Sequence, residues 1–357
     1  MKKRIYAVLI VLVLVSALGL SVCTPRKPAE TAQPQKPITV AVTLMGMLGD
    51  LSYNDKLKEG TDKAIKDFGV EVKFFEARSA ADYEGNLIAA IAGGYDLIIC
   101  QGSVHISMLA QLAPEYHEQK FAITDAIMNP VQPNVTSVAF APNEGQFLAG
   151  AMMAMLSKRT EIPGVTGEKK VGWITGIDSP NISDFWAGFE QGVQYIDPEI
   201  QILKAYAGSW SDPIKGKELA LAQYDQGVSV IAQVASRTGL GIIEAAAESK
   251  RYVVGVDSNQ DNLAPGFVVC SMLKHIDVGV YSVIESLVKN DFQGGGFLYM
   301  DLKAGGVGLT DFSVFKAHLG NNYPKDIVDK VEELTKKVAS GEIVVNTFPG
   351  IRPWEKR

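Results

Sequence analysis

Residues 38–54 read ITVAVTLMGMLGDLSYN. The apolar run Ile38–Leu44 has the composition of a buried strand. It leads into Gly46 and Gly49 and then presents Asp50, Ser52, Tyr53 and Asn54 where a helical pattern begins. A strand that ends in small and polar residues and is followed by a helix is the repeating unit of doubly wound α/β proteins. Such proteins take ligands at the carboxyl ends of their strands. The same grammar recurs along the chain. Leu97–Cys100 ends at Gln101-Gly102-Ser103, Phe121–Ile123 at Thr124-Asp125, and Val171–Ile174 at Thr175-Gly176. Val228–Val234 ends at Ser236-Arg237-Thr238, and Val253–Val256 at Asp257-Ser258-Asn259.

Between these runs the periodicity predicts helices near residues 53–68, 82–92, 106–117, 144–156, 183–195, 213–224, 240–247 and 276–288. Two successive sets of βα units, each with its own parallel sheet, imply two lobes rather than one large sheet. The expected division is a first lobe of residues 38–141 plus about 273–313 and a second lobe of residues 142–272. Residues 314–357 have no assigned lobe. A chain that returns to the first lobe crosses between lobes several times, which makes a hinge with a defined closing direction.

The N-terminus speaks to the compartment. Lys2, Lys3 and Arg4 precede an almost wholly apolar stretch, Ile5–Leu20, and then Cys23. Residues 1–22 read as a bacterial secretory signal. Cys23 resembles a lipoprotein processing site, where the thiol is acylated and becomes the mature N-terminus. Val22 stands where Gly, Ala or Ser is usual, and an uncleaved anchor or ordinary cleavage are the alternatives. Each places the folded part on the outer, periplasmic side of the cell membrane. Residues 23–37, polar and rich in proline, read as an extended tether with a reach of roughly 40 Å at about 3.1 Å per residue.

The chain has 357 residues, 47% apolar and 21% charged, with a net charge of −6. That balance argues against a nucleic-acid binder, which needs a basic face. Cys100 and Cys270 each end an apolar run and are expected as buried free thiols. No enzyme signature is present. Gly239-Leu240-Gly241 has Glu244 where a dinucleotide fingerprint needs its third glycine, and the four histidines lack metal-ligand spacing. No cofactor is expected.

Residues 49–54 (GDLSYN) carry two readings. Asp or Ser there can do no more than cap a helix, and Tyr53 can be a core aromatic. The stretch also resembles the GxxDxSFNQ signature of the basic membrane protein family, lipoprotein receptors that include the bacterial purine nucleoside receptor. Further matches follow in order: PNEGQFLAG (142–150), AYAGSWSD (205–212), GVDSNQ (255–260) and SMLK (271–274). The resemblance implies a two-lobed α/β fold of the type I periplasmic-binding-protein kind, each lobe a parallel sheet with helices on both faces. It also implies an ABC importer's solute-binding lipoprotein, with permease subunits as partners and the membrane reached through lipid.

By position, the resemblance puts Tyr53 and Trp210 on the two faces of a purine ring, in place of the family's two phenylalanines. Asn54 and Asp125 would read the base edge, and Asp257 and Lys274 the ribose hydroxyls. Asp50 ranks lower, as a possible cap. One departure is plain: where the family has an Ala-Gly-Gly-Thr-Gly loop, this chain has Ala235-Ser236-Arg237-Thr238-Gly239, with a bulky cation in the glycine's place. Arg237 could fill the cleft, read a different substituent or face solvent. The expected function is that of a purine nucleoside receptor. Receptors for a simple sugar or vitamin, and a membrane-tethered ligand sensor, are the alternatives.

Overall fold

The computed structural model describes residues 36–352; the signal segment, Cys23 and most of the tether lie outside them. The described residues form two six-stranded sheets. The first is built from β1 (Thr39–Thr43), β2 (Glu71–Phe75), β3 (Leu97–Gln101), β4 (Phe121–Thr124), β5 (Val135–Phe140) and β11 (Phe297–Met300), in the order β11-β5-β4-β3-β1-β2. All of its pairings are parallel. The second contains β6 (Lys170–Thr175), β7 (Gln201–Tyr206), β8 (Val230–Val234), β9 (Tyr252–Asp257), β10 (Val268–Lys274) and β12 (Val307–Leu309), in the order β12-β10-β9-β8-β6-β7. Only β12 runs antiparallel there.

Helices cover both faces of each sheet. In the first lobe, α1 (Tyr53–Phe68) lies with α8 (Ile276–Val288) on one face, and α2 (Asp82–Ala92) and α3 (Ile106–Glu115) on the other. In the second lobe, α4 (Pro142–Leu156) and α5 (Pro180–Ile196) oppose α6 (Pro213–Asp225) and α7 (Thr238–Ser249). This is the two-lobed α/β fold expected from the alternating strand and helix signals.

Within the described residues the chain passes between lobes three times: after β5 into α4, after β10 into α8, and between β11 and β12. Because β12 pairs with β10, the return to the first sheet ends near residue 306, short of the 313 anticipated from sequence. The remaining helices, α9 (Ser313–Leu319) and α10 (Lys325–Ala339), pack on the second lobe. Phe315, Ile327 and Val331 join the core around Trp173, and Leu334 and Val338 meet Phe147 of α4. Cys100 and Cys270 are free and buried.

α4 is the pivot of this arrangement. Its charge-poor sequence, PNEGQFLAGAMMAML, is buried on nearly every side. It crosses α5 with the backbones almost touching: a Cβ at Gly188 would sit 2.0 Å from the Asn143 carbonyl oxygen, and one at Gly192 2.1 Å from that of Phe147. Alanine is the better helix former by about 1 kcal/mol, yet forcing a methyl group into such a contact costs about 1–3 kcal/mol. Gly192→Ala is therefore expected to lower the urea midpoint; a raised midpoint would show that the two helices have room to part.

Candidate functional site

The segments that follow β1 and β4 of the first sheet meet the ends of β8, β9 and β10 and the start of α5 in the second lobe. Asp50 precedes α1 and accepts from the backbone amides of Ser52 (3.1 Å), Asn54 (3.0 Å) and Asp55 (3.1 Å). It also accepts from the Ser236 hydroxyl of the second lobe at 2.8 Å. Asp50 thus caps the helix, and it also touches the opposite lobe. Burial raises its carboxyl above the ordinary value, with the amide and hydroxyl donors opposing.

The same loop makes further contacts across the cleft. Ser52 donates to the Asp257 carboxylate (3.0 Å), Ser258 donates to the Ser52 carbonyl (3.0 Å), and Gln260 donates to the Leu51 carbonyl (2.9 Å). Asn54 is buried, and its side-chain amide holds the loop by donating to the Met47 carbonyl at 3.0 Å.

At the centre stands Lys274, the last residue of β10. Its ammonium lies 2.8 Å from Asp125 and 3.4 Å from Asp257, with side chains only 3%, 7% and 9% exposed. Burial disfavours its charge, but the two carboxylates outweigh that, and its pKa is raised. Asp257 is raised too, chiefly by burial, with Lys274 pulling the other way. The ammonium lies 4.6 Å from the centre of the Tyr53 ring and 5.0 Å from that of Phe185 on α5, which gives it two aromatic faces as well. The Tyr53 hydroxyl is buried with no hydrogen-bond partner among the described residues, and Asp257 Oδ1, also buried, has only its 3.4 Å ion pair with the Lys274 ammonium. Burial, then the nearby Asp125 charge, push the Tyr53 hydroxyl pKa well up.

Backbone conformation marks the same places. Asp125, Ser236 and Asp257 adopt positive φ (58°, 50° and 64°), each just past or at a strand end. Non-glycine residues hold this conformation at a cost of order 1–3 kcal/mol, and such strain collects at functional sites.

Asp50, Tyr53, Asn54, Asp125, Asp257 and Lys274 thus gather in one network. Trp210 stands apart from it. Its half-buried indole lies on the Gly176 backbone, where a Cβ would come within 2.3 Å of the ring, and its carbonyl accepts from the Thr238 amide at 3.1 Å. Lys274, not Trp210, covers Tyr53. Arg237 is exposed at the start of α7, and its neighbour Ser236 makes the cleft contact.

Sequence reasoning puts Ser52 and Ser236 at strand ends without giving either a role, and it passes over Asn181 and Phe185. Ser52 and Ser236 are short hydroxyls without a distinguishing pattern. Asn181 donates to Asp125 at 2.8 Å from the first turn of α5, and Phe185 lies one turn later. The available signal was Ser179-Pro180: the Ser179 hydroxyl accepts from the Ile182 amide at 3.3 Å, and proline takes the first helical position.

Residues 38–347 match the family profile described as ABC transporter substrate-binding protein, PnrA-like (Bmp). The chain belongs to the Bmp family. Its members bind solutes for ABC permeases and are not enzymes, which fits a site built from capped, ion-paired and aromatic groups. Basic membrane protein A of Borreliella afzelii is 28% identical, covering 90% of this chain and 94% of that one. A Pyrococcus furiosus protein named an uncharacterized lipoprotein is 30% identical over 86% of this chain and 80% of its own length. Among solved structures, a solute-binding protein of an ABC transporter system from Aeropyrum pernix K1 superposes with a TM-score of 0.81. It is 32% identical and covers 87% of this Bmp chain and 94% of its own. Among the described residues, no helix is long and apolar enough to cross a membrane.

Lys274→Met leaves two buried carboxylates with no cation between them, and losing one partner of a buried pair costs about 3–5 kcal/mol. Because the Lys274 pKa is raised, its stabilisation is fully present below the ordinary lysine value of 10.5 and is lost as the pH climbs through the folded value. The stability difference between wild type and Lys274→Met, followed by denaturant titration from neutral pH upward, is expected to stay level to pH 10.5 and shrink above it. A difference that already shrinks between pH 7 and 9 would mean that Lys274 is not held charged.

Proposed function

We propose that this chain is a lipid-anchored receptor that holds a purine nucleoside between its lobes and presents it to an ABC permease at the outer face of the cell membrane. The observation that carries this reading is the Asp257–Lys274–Asp125 row beside the Tyr53 ring, in which buried Asp257 Oδ1 has only a 3.4 Å ion pair with the ammonium. A vicinal diol would add a well-aligned donor to that carboxylate and accept from the ammonium, as a ribose does. The aromatic residues suit the base: we assign its two faces to Trp210 of the second lobe and to Tyr53 of the first, whose ring also lies 4.6 Å from the Lys274 ammonium, and ring stacking adds roughly 0.5–1.5 kcal/mol per pair beyond area burial. Asn54 and Asp125 supply a donor and acceptor set for the base edge, while Asp50 fixes the helix that carries Tyr53 and Asn54.

Closure follows from the same contacts. A ligand that touches both lobes binds the closed form better than the open one and shifts the population toward it. The contacts from residues 50–52 to Ser236, Asp257, Ser258 and Gln260 then add to the closed state. Anchoring rests on Cys23 and on the lipoprotein name of a relative.

The test is a thermal-shift screen of guanosine, inosine, adenosine, simple sugars and riboflavin, followed by calorimetry. A nucleoside at a hundredfold excess over its Kd stabilises by about 2.7 kcal/mol, which is expected from at least one purine nucleoside. Trp210→Ala is expected to weaken that binding about tenfold or more, roughly 1.4 kcal/mol, with an unchanged circular dichroism spectrum. A shift from riboflavin or a sugar alone would reassign the ligand, and full affinity in Trp210→Ala would remove the indole from the site.

A further inference from the structure

The chain does not stop at α10. Residues 343–352 run back along α4 and α5 toward the hinge, bonded nearly throughout. Gln191 of α5 donates to the Val344 carbonyl (3.1 Å) and accepts from the Asn346 amide (2.6 Å). Asn143 of α4 donates to the Asn346 carbonyl at 3.0 Å. Asp184 of α5, fully buried, accepts from the Thr347 hydroxyl (2.7 Å) and the Phe348 amide (2.8 Å). Arg352 completes the set, donating to Asn143 (2.5 Å) and to Asp184 (3.1 Å).

Two features tie this segment to the binding cleft. First, the Arg352 guanidinium lies 5.4 Å from the centre of the Tyr299 ring, and Tyr299 belongs to β11 of the first sheet. Arg352 therefore touches both lobes, beside the crossings that open and close them. Second, Arg352 and Ile351 share one small cleft with Tyr299, Asp184, Asn181 and Asp125. Asp184 lies on α5 between Asn181, which donates to Asp125, and Phe185, which flanks the Lys274 ammonium. What holds Asp184 also sets where those two neighbours reach.

We propose that residues 343–352 form a strap that holds the lobes closed, with Arg352 as a positioning residue that fixes the α5 N-terminus against Asp125. Arg352 is planar and forked, so it bonds Asn143 and Asp184 through its edge while its face rests on Tyr299. Opening the lobes parts that face from the ring and pulls Asn181 from Asp125. The strap thereby biases the equilibrium toward the closed form before any ligand arrives, and apparent affinity scales with the population that is competent to bind.

The proposal is tested with the full chain carrying Arg352→Gln, Arg352→Lys or Tyr299→Leu. Tyr299→Leu keeps the Arg352–Asp184 pair and removes the ring face on which Arg352 rests, so it remains informative if Arg352→Gln fails to fold. Small-angle X-ray scattering of the ligand-free proteins reads closure directly. The expected result is a larger radius of gyration for Tyr299→Leu and Arg352→Gln, with Arg352→Lys between them and wild type. A tenfold loss of the closed population weakens guanosine binding about tenfold, and saturating guanosine returns the variants to wild-type dimensions. Ligand-free scattering of Tyr299→Leu identical to wild type overturns the proposal, because Arg352 then only fastens the second lobe. The affinity arm rests on the purine nucleoside reading; the scattering arm does not, so a wild type that ignores guanosine, inosine and adenosine alike refutes that reading and leaves the strap to be decided by scattering alone.

Discussion

Lys274 carries a full positive charge where little solvent reaches it. Removing an ammonium from water costs several kcal/mol, and only close, well-made pairing repays it. Here the repayment comes from both lobes: Asp125 follows a strand of the first sheet and Asp257 ends a strand of the second. Parting the lobes separates this charge from part of its compensation. Much else in the cleft serves the same arrangement, from the Ser52 hydroxyl on Asp257 to the Asn181 amide on Asp125.

The position of Lys274 in the chain adds to this. It is the last residue of β10, directly ahead of the crossing into α8, so the central charge of the site sits on a hinge strand. α8 then packs on α1, the helix whose first turn holds Tyr53 and Asn54. Hinge, ion pair and aromatic wall are thus a few residues apart, and a change at one is felt at the others. The exposed position of Arg237 belongs to the same account. The cation in the family's glycine-rich loop leaves the cleft to Ser236, whose hydroxyl is small enough to reach Asp50 between the lobes.

Most of the fold was legible because buried parallel strands are unbroken apolar runs, and each such run in this chain is flanked by a clear helical pattern. Strand ends were legible for the same reason, and with them Asp125 and Asp257. The failures have physical causes. β12 and the segment beyond α10 have no local periodicity; they are placed by pairing with β10 and by bonds to α4 and α5, which a linear reading does not contain. The start of α5 was set three residues late, at Ser183, because Ser179, Pro180 and Asn181 look like a loop until the serine is seen to cap and the proline to open the helix. That short error concealed Asn181. Trp210 was singled out as a large aromatic in a polar loop, but its packing on Gly176 shows how a glycine elsewhere in the chain can make room for such a ring.

The left-handed backbone at Asp125 and Asp257 narrows what these positions can become. The conformation admits glycine, asparagine and aspartate with least strain, while the buried ammonium between them demands a negative charge. Of the ordinary side chains, aspartate alone meets both conditions. Glutamate keeps the charge but lacks the short side chain that eases this backbone, and asparagine keeps the backbone but not the charge. Drift at either position therefore has almost no neutral route, and variation among homologues should be channelled to the walls of the cleft and away from its floor.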